Sequence, residues 1–192
     1  MTTAYKTEAM QDESEIAAFC ELLAAEGVRS YLEIGSKFGG SLWRVGMALQ
    51  RGARIVSVDL PNGTKRWNES KPSLEAAHAD LRCLGHETRM VWGNSTDPIV
   101  IAQVANLGPF DAILIDGDHR LPGLTQDWNN YGPMGRIVAF HDIAWHRAPE
   151  WQGTRIDVPE FWEALKESGA GYVELKTCPT GKNNGIGVLW RS

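Results

Sequence analysis

Cysteine is scarce in this 192-residue sequence: Cys20, Cys83 and Cys178 stand far apart and form no CxxC pair. A disulfide framework and a cysteine-built zinc site are therefore excluded, and all three read as small packing residues. Positive charge is also in short supply, with 19 Lys and Arg against 24 Asp and Glu and a net charge of −5. No broad cationic surface for nucleic acid is expected. Apolar runs stay short; the longest, such as AILI after Asp111, suit a strand and fall well below membrane-spanning length. The opening MTTAYKTEAMQDESE is polar and acidic and lacks the apolar stretch of a signal peptide. A soluble, cytoplasmic protein without a nucleic-acid or membrane partner is the expectation. Repeats, linkers and low-complexity tracts are missing too. With 43% hydrophobic and 22% charged residues, the chain reads as one domain over residues 1–192, with a helical region at 1–27 and a core at 28–192.

What is present is a regular alternation of helical and strand patterns. Asp12 and Glu15 make a cap-like start, after which Ile16, Phe19, Cys20 and Leu23 recur at helical spacing until Gly27. VRSYLEI reads as a strand, residues 40–51 as a helix with Leu42, Val45 and Leu49 on one face, and ARIVSVD as a second strand. PNGTKRWN is loop, residues 73–84 helix, TRMVWG strand. Asp97 and Pro98 occupy the cap and first-turn positions of a helix over residues 99–107. FDAILID is apolar without alternation, the mark of a strand buried on both faces. A helix over 121–131, the strand RIVAF, a helix over 159–168 and the strands GYVELKT and IGVLW follow. CPTGKNNG between the last two suits a hairpin. The pattern predicts an α/β sandwich around a mostly parallel sheet with an antiparallel addition at its end.

In such sheets ligands sit beyond the carboxyl ends of the strands. Those ends carry, in order, Glu33-Ile34-Gly35-Ser36-Lys37-Phe38-Gly39-Gly40-Ser41, Asp59, Gly93-Asn94-Ser95, Asp116-Gly117-Asp118-His119 and His141-Asp142. The glycines after the first strand let backbone N–H groups approach a ligand, and Asp59 at the second can accept both hydroxyls of a ribose. Each has a plainer reading, a tight turn and a solvated carboxylate before Pro61; together they favour a nucleoside-containing cofactor. A nicotinamide dinucleotide calls for G-x-G-x-x-G, yet the position two after Gly35 is Lys37. Glu33, two before Gly35, repels phosphate and welcomes a sulfonium or amine. S-adenosylmethionine fits better than NAD.

YLEIGSKFGGS, IVSVD, WGNS, FDAILIDGDH and RIVAFHDI together resemble the class I S-adenosylmethionine-dependent methyltransferases. More narrowly, they resemble the small-molecule O-methyltransferases and the cephalosporin hydroxylase-type group. The resemblance runs from about Val28 to the last strand. It implies a single-domain Rossmann-like sandwich with a seven-stranded sheet whose C-terminal strand is antiparallel. Around the cofactor it implies Glu33, Gly35, Ser36, Gly39, Gly40, Ser41, Asp59, Leu60, Asn94, Ser95, Asp116 and Gly117. Metal-dependent members carry an Asp at the end of strand four, matched by Asp116, and an acidic or amide pair at the end of strand five, where this chain has His141-Asp142. A Mg²⁺ or another divalent metal on Asp116, His141 and Asp142 is the expectation, although imidazole is a poorer magnesium ligand than oxygen. Three residues after the strand-four Asp the family places its general base; His119 stands there.

Methyl transfer to a hydroxyl of a small-molecule acceptor is the leading expectation. A cofactor-binding module without catalysis and an NAD-linked oxidoreductase are the rivals. His78 and His86 read as surface histidines on or beside a helix. Tryptophan is abundant, at eight; Trp145, Arg147 and Trp151 around His146, and Trp67 in PNGTKRWN, suggest a lid over an acceptor or a contact between copies in a homo-oligomer.

Overall fold

The computed structural model describes residues 9, 11–61, 70–145, 150–151, 153–176 and 184–191. The elements are α1 (Glu13–Ala25), β1 (Ser30–Ile34), α2 (Gly40–Ala48), β2 (Arg54–Asp59), α3 (Ser70–Cys83) and β3 (Glu87–Trp92). Then come α4 (Pro98–Ala105), β4 (Phe110–Ile115), α5 (Leu121–Tyr131), a 3-10 turn (Gly132–Met134) and β5 (Gly135–His141). The last part holds β6 (Glu150–Trp151), β7 (Thr154–Arg155), α6 (Val158–Lys166), β8 (Tyr172–Leu175) and β9 (Ile186–Trp190).

Seven strands pair in the order β3-β2-β1-β4-β5-β9-β8. The first five are parallel, and β9 runs antiparallel to both β5 and β8. The antiparallel strand is therefore enclosed by its neighbours, and β8 forms the edge. The Rossmann-like sandwich expected from the sequence is the observed fold. Strand order reverses between β1 and β4, the place where an open α/β sheet leaves a crevice at its carboxyl edge.

Alternation along the strands builds one core on each side of the sheet. Leu32, Ile34, Ile113, Ile115, Val138 and Phe140 meet Val100, Val104, Leu124, Tyr131, Phe161 and Trp162 from α4, α5 and α6. Tyr31, Ile55, Leu114 and Ala139 meet Ile16, Phe19, Leu42, Val45, Leu74 and Leu81 from α1, α2 and α3. Trp162 is fully buried, bonds Glu174 Oε1 through its indole N–H at 2.7 Å and lies over Gly187, where a Cβ would meet its ring at 2.6 Å. Truncating so large a buried ring costs about 3–5 kcal/mol.

Local signals hold where they are chemical. Asp12 caps α1 by accepting from Ser14 N, and Asp97 caps α4 by accepting from Ile99 N with Pro98 in the first turn. Differences fall mainly at element ends. The second helix stops at Ala48, where Leu49 turns extended, so it ends before Arg51; the third begins at Ser70, ahead of 73. Both histidines expected at the surface are buried. His78 points inward from α3 to a Ser57 Oγ···His78 Nε2 hydrogen bond of 2.8 Å, and His86 is 8% exposed. Cys20 packs in the core, whereas Cys83 is exposed at the end of α3. Cys178, Trp67, His146 and Arg147 lie outside the described residues, as do the centres of PNGTKRWN and CPTGKNNG. Trp145 packs partly buried against the α4–α6 core, and the two-residue strands β6 and β7 pair within the stretch read as a lid.

Candidate active site

The turn after β1 is held against its neighbours by backbone bonds. Gly35 N donates to Val58 O, Asp116 N to Ile34 O and Gly39 N to Ser36 O. Gly35 has φ 86°, and a Cβ there would stand 2.3 Å from Asp116 O, so the crossing of these turns requires glycine. Gly39, at φ 81°, is the N-cap of α2, which begins with Gly40 and Ser41. Lys37 also adopts a left-handed backbone, and its N–H donates to the Asp59 carboxylate.

Glu33 is fully buried, accepting from Tyr31 Oη at 2.7 Å on one oxygen and from Ser41 Oγ at 2.8 Å on the other. Burial pushes its pKa up to about 7, against the pull of those two hydroxyls. In this arrangement Glu33 ties α2 to the sheet beneath the glycine turn, with Ser36 buried beside it. Asp59 is partly buried and accepts from the amides of Lys37 and Leu60, the latter at 2.6 Å; Leu60 is exposed. Its pKa is raised by burial, which those amides partly offset. At the end of β3, Asn94 Oδ1 accepts from Thr96 N and Oγ1, closing its own turn. Ser95 O accepts from Tyr131 Oη at 2.7 Å. Gly117 faces Asp127, a fully buried carboxylate of α5 whose pKa burial lifts to about 6.

The ends of β4 and β5 carry the densest charge. His119 Nε2 lies 3.3 Å from Asp116 Oδ1 and 2.9 Å from Asp142 Oδ2. His141 Nδ1 lies 3.5 Å from Asp116 Oδ1 and 3.2 Å from Asp142 Oδ1. Asp142 turns into this cluster with φ 66°, a backbone state that Asp tolerates better than most residues. One ligand atom from each of Asp116, His119 and Asp142 falls within 4.8 Å of the others. The converging triplet thus includes His119 where the sequence pointed to His141; His141 backs the same two carboxylates from a more buried position. Burial pulls both imidazoles down, but the carboxylates outweigh it and raise His119 to about 10 and His141 to about 9. For Asp116 the same balance runs the other way: burial raises its pKa, and the two histidines bring it well below the usual carboxylate range.

His119 does not cap the helix that follows it. Leu121 N–H at the start of α5 donates instead to Asp157 Oδ2 at 2.8 Å.

Two residues that the sequence reading left out enter this cluster from the amino-terminal segment. Gln11 Nε2 donates to Asp116 Oδ2 at 3.0 Å, and Glu15 Oε2 faces His141 Nε2 at 4.0 Å. A signal for Glu15 existed: it shares the buried stripe of Ile16, Phe19, Cys20 and Leu23, where an acid is out of place. Asp127 lies on the stripe of Leu124 and Tyr131 in the same way.

The sequence matches the family described as Methyltransferase domain over residues 32–143. No curated protein matches it. Among solved structures, a Bacillus cereus O-methyltransferase in complex with SAH superposes with a TM-score of 0.65 at 20% identity, covering 98% of this chain and 84% of that one. TomG, a Streptomyces achromogenes O-methyltransferase involved in tomaymycin synthesis and solved with SAM, gives a TM-score of 0.66 at 18% identity over 94% and 81% of the two chains. At these identities the likeness is one of fold. The family match spans more than half of the chain and takes in every strand end from Glu33 to Asp142, and on that ground the chain belongs to the methyltransferase domain family.

Proposed function

We propose that this protein transfers the methyl group of S-adenosylmethionine to a hydroxyl of a small molecule. The observation that carries this reading is the convergence of Asp116, His119 and Asp142 beside the Gly35 turn, on the carboxyl edge of a methyltransferase sheet. Structural neighbours crystallised with SAH and SAM support the choice of cofactor. The cofactor would lie along the turn of Gly35, Ser36, Gly39, Gly40 and Ser41, with its ribose on Asp59 beside Leu60 and its base near Asn94 and Ser95. Glu33 serves from beneath by holding that turn, and Asp116 with Gly117 closes its far side.

Methyl transfer from a sulfonium is an in-line displacement, so catalysis is largely a matter of holding donor and acceptor at attack distance. The acceptor hydroxyl must also lose its proton. His119 is the base best placed to take it: its side chain is 26% exposed, against 8% for His141, so an acceptor can reach it. With both carboxylates bearing on it, His119 is protonated at neutral pH, so base catalysis needs that negative charge to be balanced.

The donor set suits a divalent cation. Two carboxylates stand at neighbouring strand ends, and Asp142 Oδ1 is buried with no hydrogen-bond partner. Asp116 and Asp142 would hold the ion; His141, whose Nδ1 lies 3.5 and 3.2 Å from them, would add a donor from the buried side, leaving His119, the more exposed member of the converging triplet, toward the acceptor. Such an ion lowers the pKa of a bound hydroxyl and of a neighbouring imidazole.

Calorimetric titration with S-adenosylmethionine, its demethylated product and NAD tests the cofactor, and transfer of labelled methyl to sugars, catechols and macrolides tests the reaction. Binding of the sulfonium and methylation of a hydroxyl are expected. Affinity for NAD with none for the sulfonium overturns the reading.

A further inference from the structure

Glu15 is an acid fully buried on the apolar stripe of α1, and nothing in the transfer of a methyl group has so far required it. As the third residue of a helix capped by Asp12, it belongs to a position that commonly reaches back to the cap. Here it turns inward. Its Oε1 accepts from Gly185 N at 2.8 Å, just before β9, and that bond fixes the carboxylate. Its Oε2 is buried, makes no hydrogen bond and faces His141 Nε2 at 4.0 Å. The other ring nitrogen, Nδ1, faces Asp116 and Asp142 at 3.5 and 3.2 Å. A carboxylate, an imidazole and a pair of carboxylates thus stand in line from α1 to the cleft.

From this geometry we infer that Glu15 is a positioning residue: its carboxylate, 4.0 Å from Nε2 of His141, holds the ring by charge and so presents Nδ1 to the site formed by Asp116 and Asp142. Histidine ligands are commonly oriented in this way by an outer carboxylate, which fixes which nitrogen carries the proton. The inference rests on the cation-binding reading above only for what Nδ1 is presented to; the orientation of the ring stands on Glu15, which Gly185 N holds in place, and on the contacts that Nδ1 makes with the two aspartates.

Glu15→Gln separates this role from a purely structural one. The amide oxygen can still accept from Gly185 N, so the tie to β9 is kept. The amide nitrogen replaces Oε2, and a donor then meets Nε2 where an acceptor stood. Two measurements on the full chain read the result. In ¹⁵N-histidine-labelled protein, a protected Nε2–H signal of His141 is expected in the wild type and lost in Glu15→Gln. Titration with Mn²⁺ alone should show affinity falling 10–100-fold in the variant, while the melting transition and binding of the demethylated cofactor product are retained. A His141 signal that survives the substitution overturns the inference, as does Mn²⁺ affinity that stays within twofold of a wild type that binds the ion. If the wild type binds no Mn²⁺ but loses the His141 signal on substitution, the cation-binding reading falls and the positioning role stands.

Discussion

His78 and His141 are both removed from water, at 0% and 7% exposure, yet their proton affinities are driven in opposite directions. His78 sits between β2 and α3 against Ser57, with Arg82 its charged neighbour; burial first, and that cation second, lower its pKa to about 4. His141 sits at the end of β5, where Asp116 and Asp142 overcome burial and raise it to about 9. Burial alone therefore says little about charge. The core keeps its imidazole neutral, whereas the strand ends hold theirs charged and ready to respond to a change in local charge.

Removing the shared carboxylate should break this contrast most severely. In Asp116→Asn, His141 and His119 lose their principal partner, and their titrations, followed by histidine NMR, should move down toward the ordinary 6.5. Turnover is expected to fall at least ~100-fold, with about 3 kcal/mol lost from stability in urea unfolding. His119→Ala should lower turnover by about 10²–10⁴-fold while cofactor affinity stays unchanged; activity retained within a few-fold would move the base to another group.

The two histidine environments also predict opposite pH slopes. The unfolded chain protonates His78 as pH falls through 6.5, but the folded chain does not until about 4. Stability is thus lost as pH drops across that window, by about 3 kcal/mol at full extent, and His78→Gln should flatten the acid side of a melting-temperature profile. His119 and His141 are raised in the fold, so their contribution is full below pH 6.5 and is lost as pH climbs through about 9 and 10. In metal-free protein that alkaline slope should shrink in Asp116→Asn. The smallest effect is expected for Ser57→Ala, which leaves His78 Nε2 without its partner at a cost of about 1–3 kcal/mol and should leave the alkaline slope intact.

The residues legible in the sequence are those whose role is local. The run from Ala112 to Ile115 is apolar because β4 is buried on both faces there, and Asp97 with Pro98 announces α4 through its own backbone. Strand ends could be read in order because each is followed by a turn rich in glycine or polar residues. Partnerships across the chain left no such mark. Ser57 and His78 lie 21 residues apart, Gln11 and Asp116 105 apart, and only the fold brings them together. Glu15 was hidden by its position, since an acid in the first turn of a helix is also good capping chemistry. The two-residue pairing of β6 with β7 is too short to leave any periodicity.

The bond from Gly185 to Glu15 joins groups 170 positions apart. While a ribosome is still extending the chain, the cofactor turn, Asp116 and Asp142 have all emerged before this bond can form. The nascent protein can therefore shape the cleft early, but it cannot lock the first helix against His141 until β9 is laid between β5 and β8. A molecule stopped short of Gly185 would lack the donor that clamps Glu15.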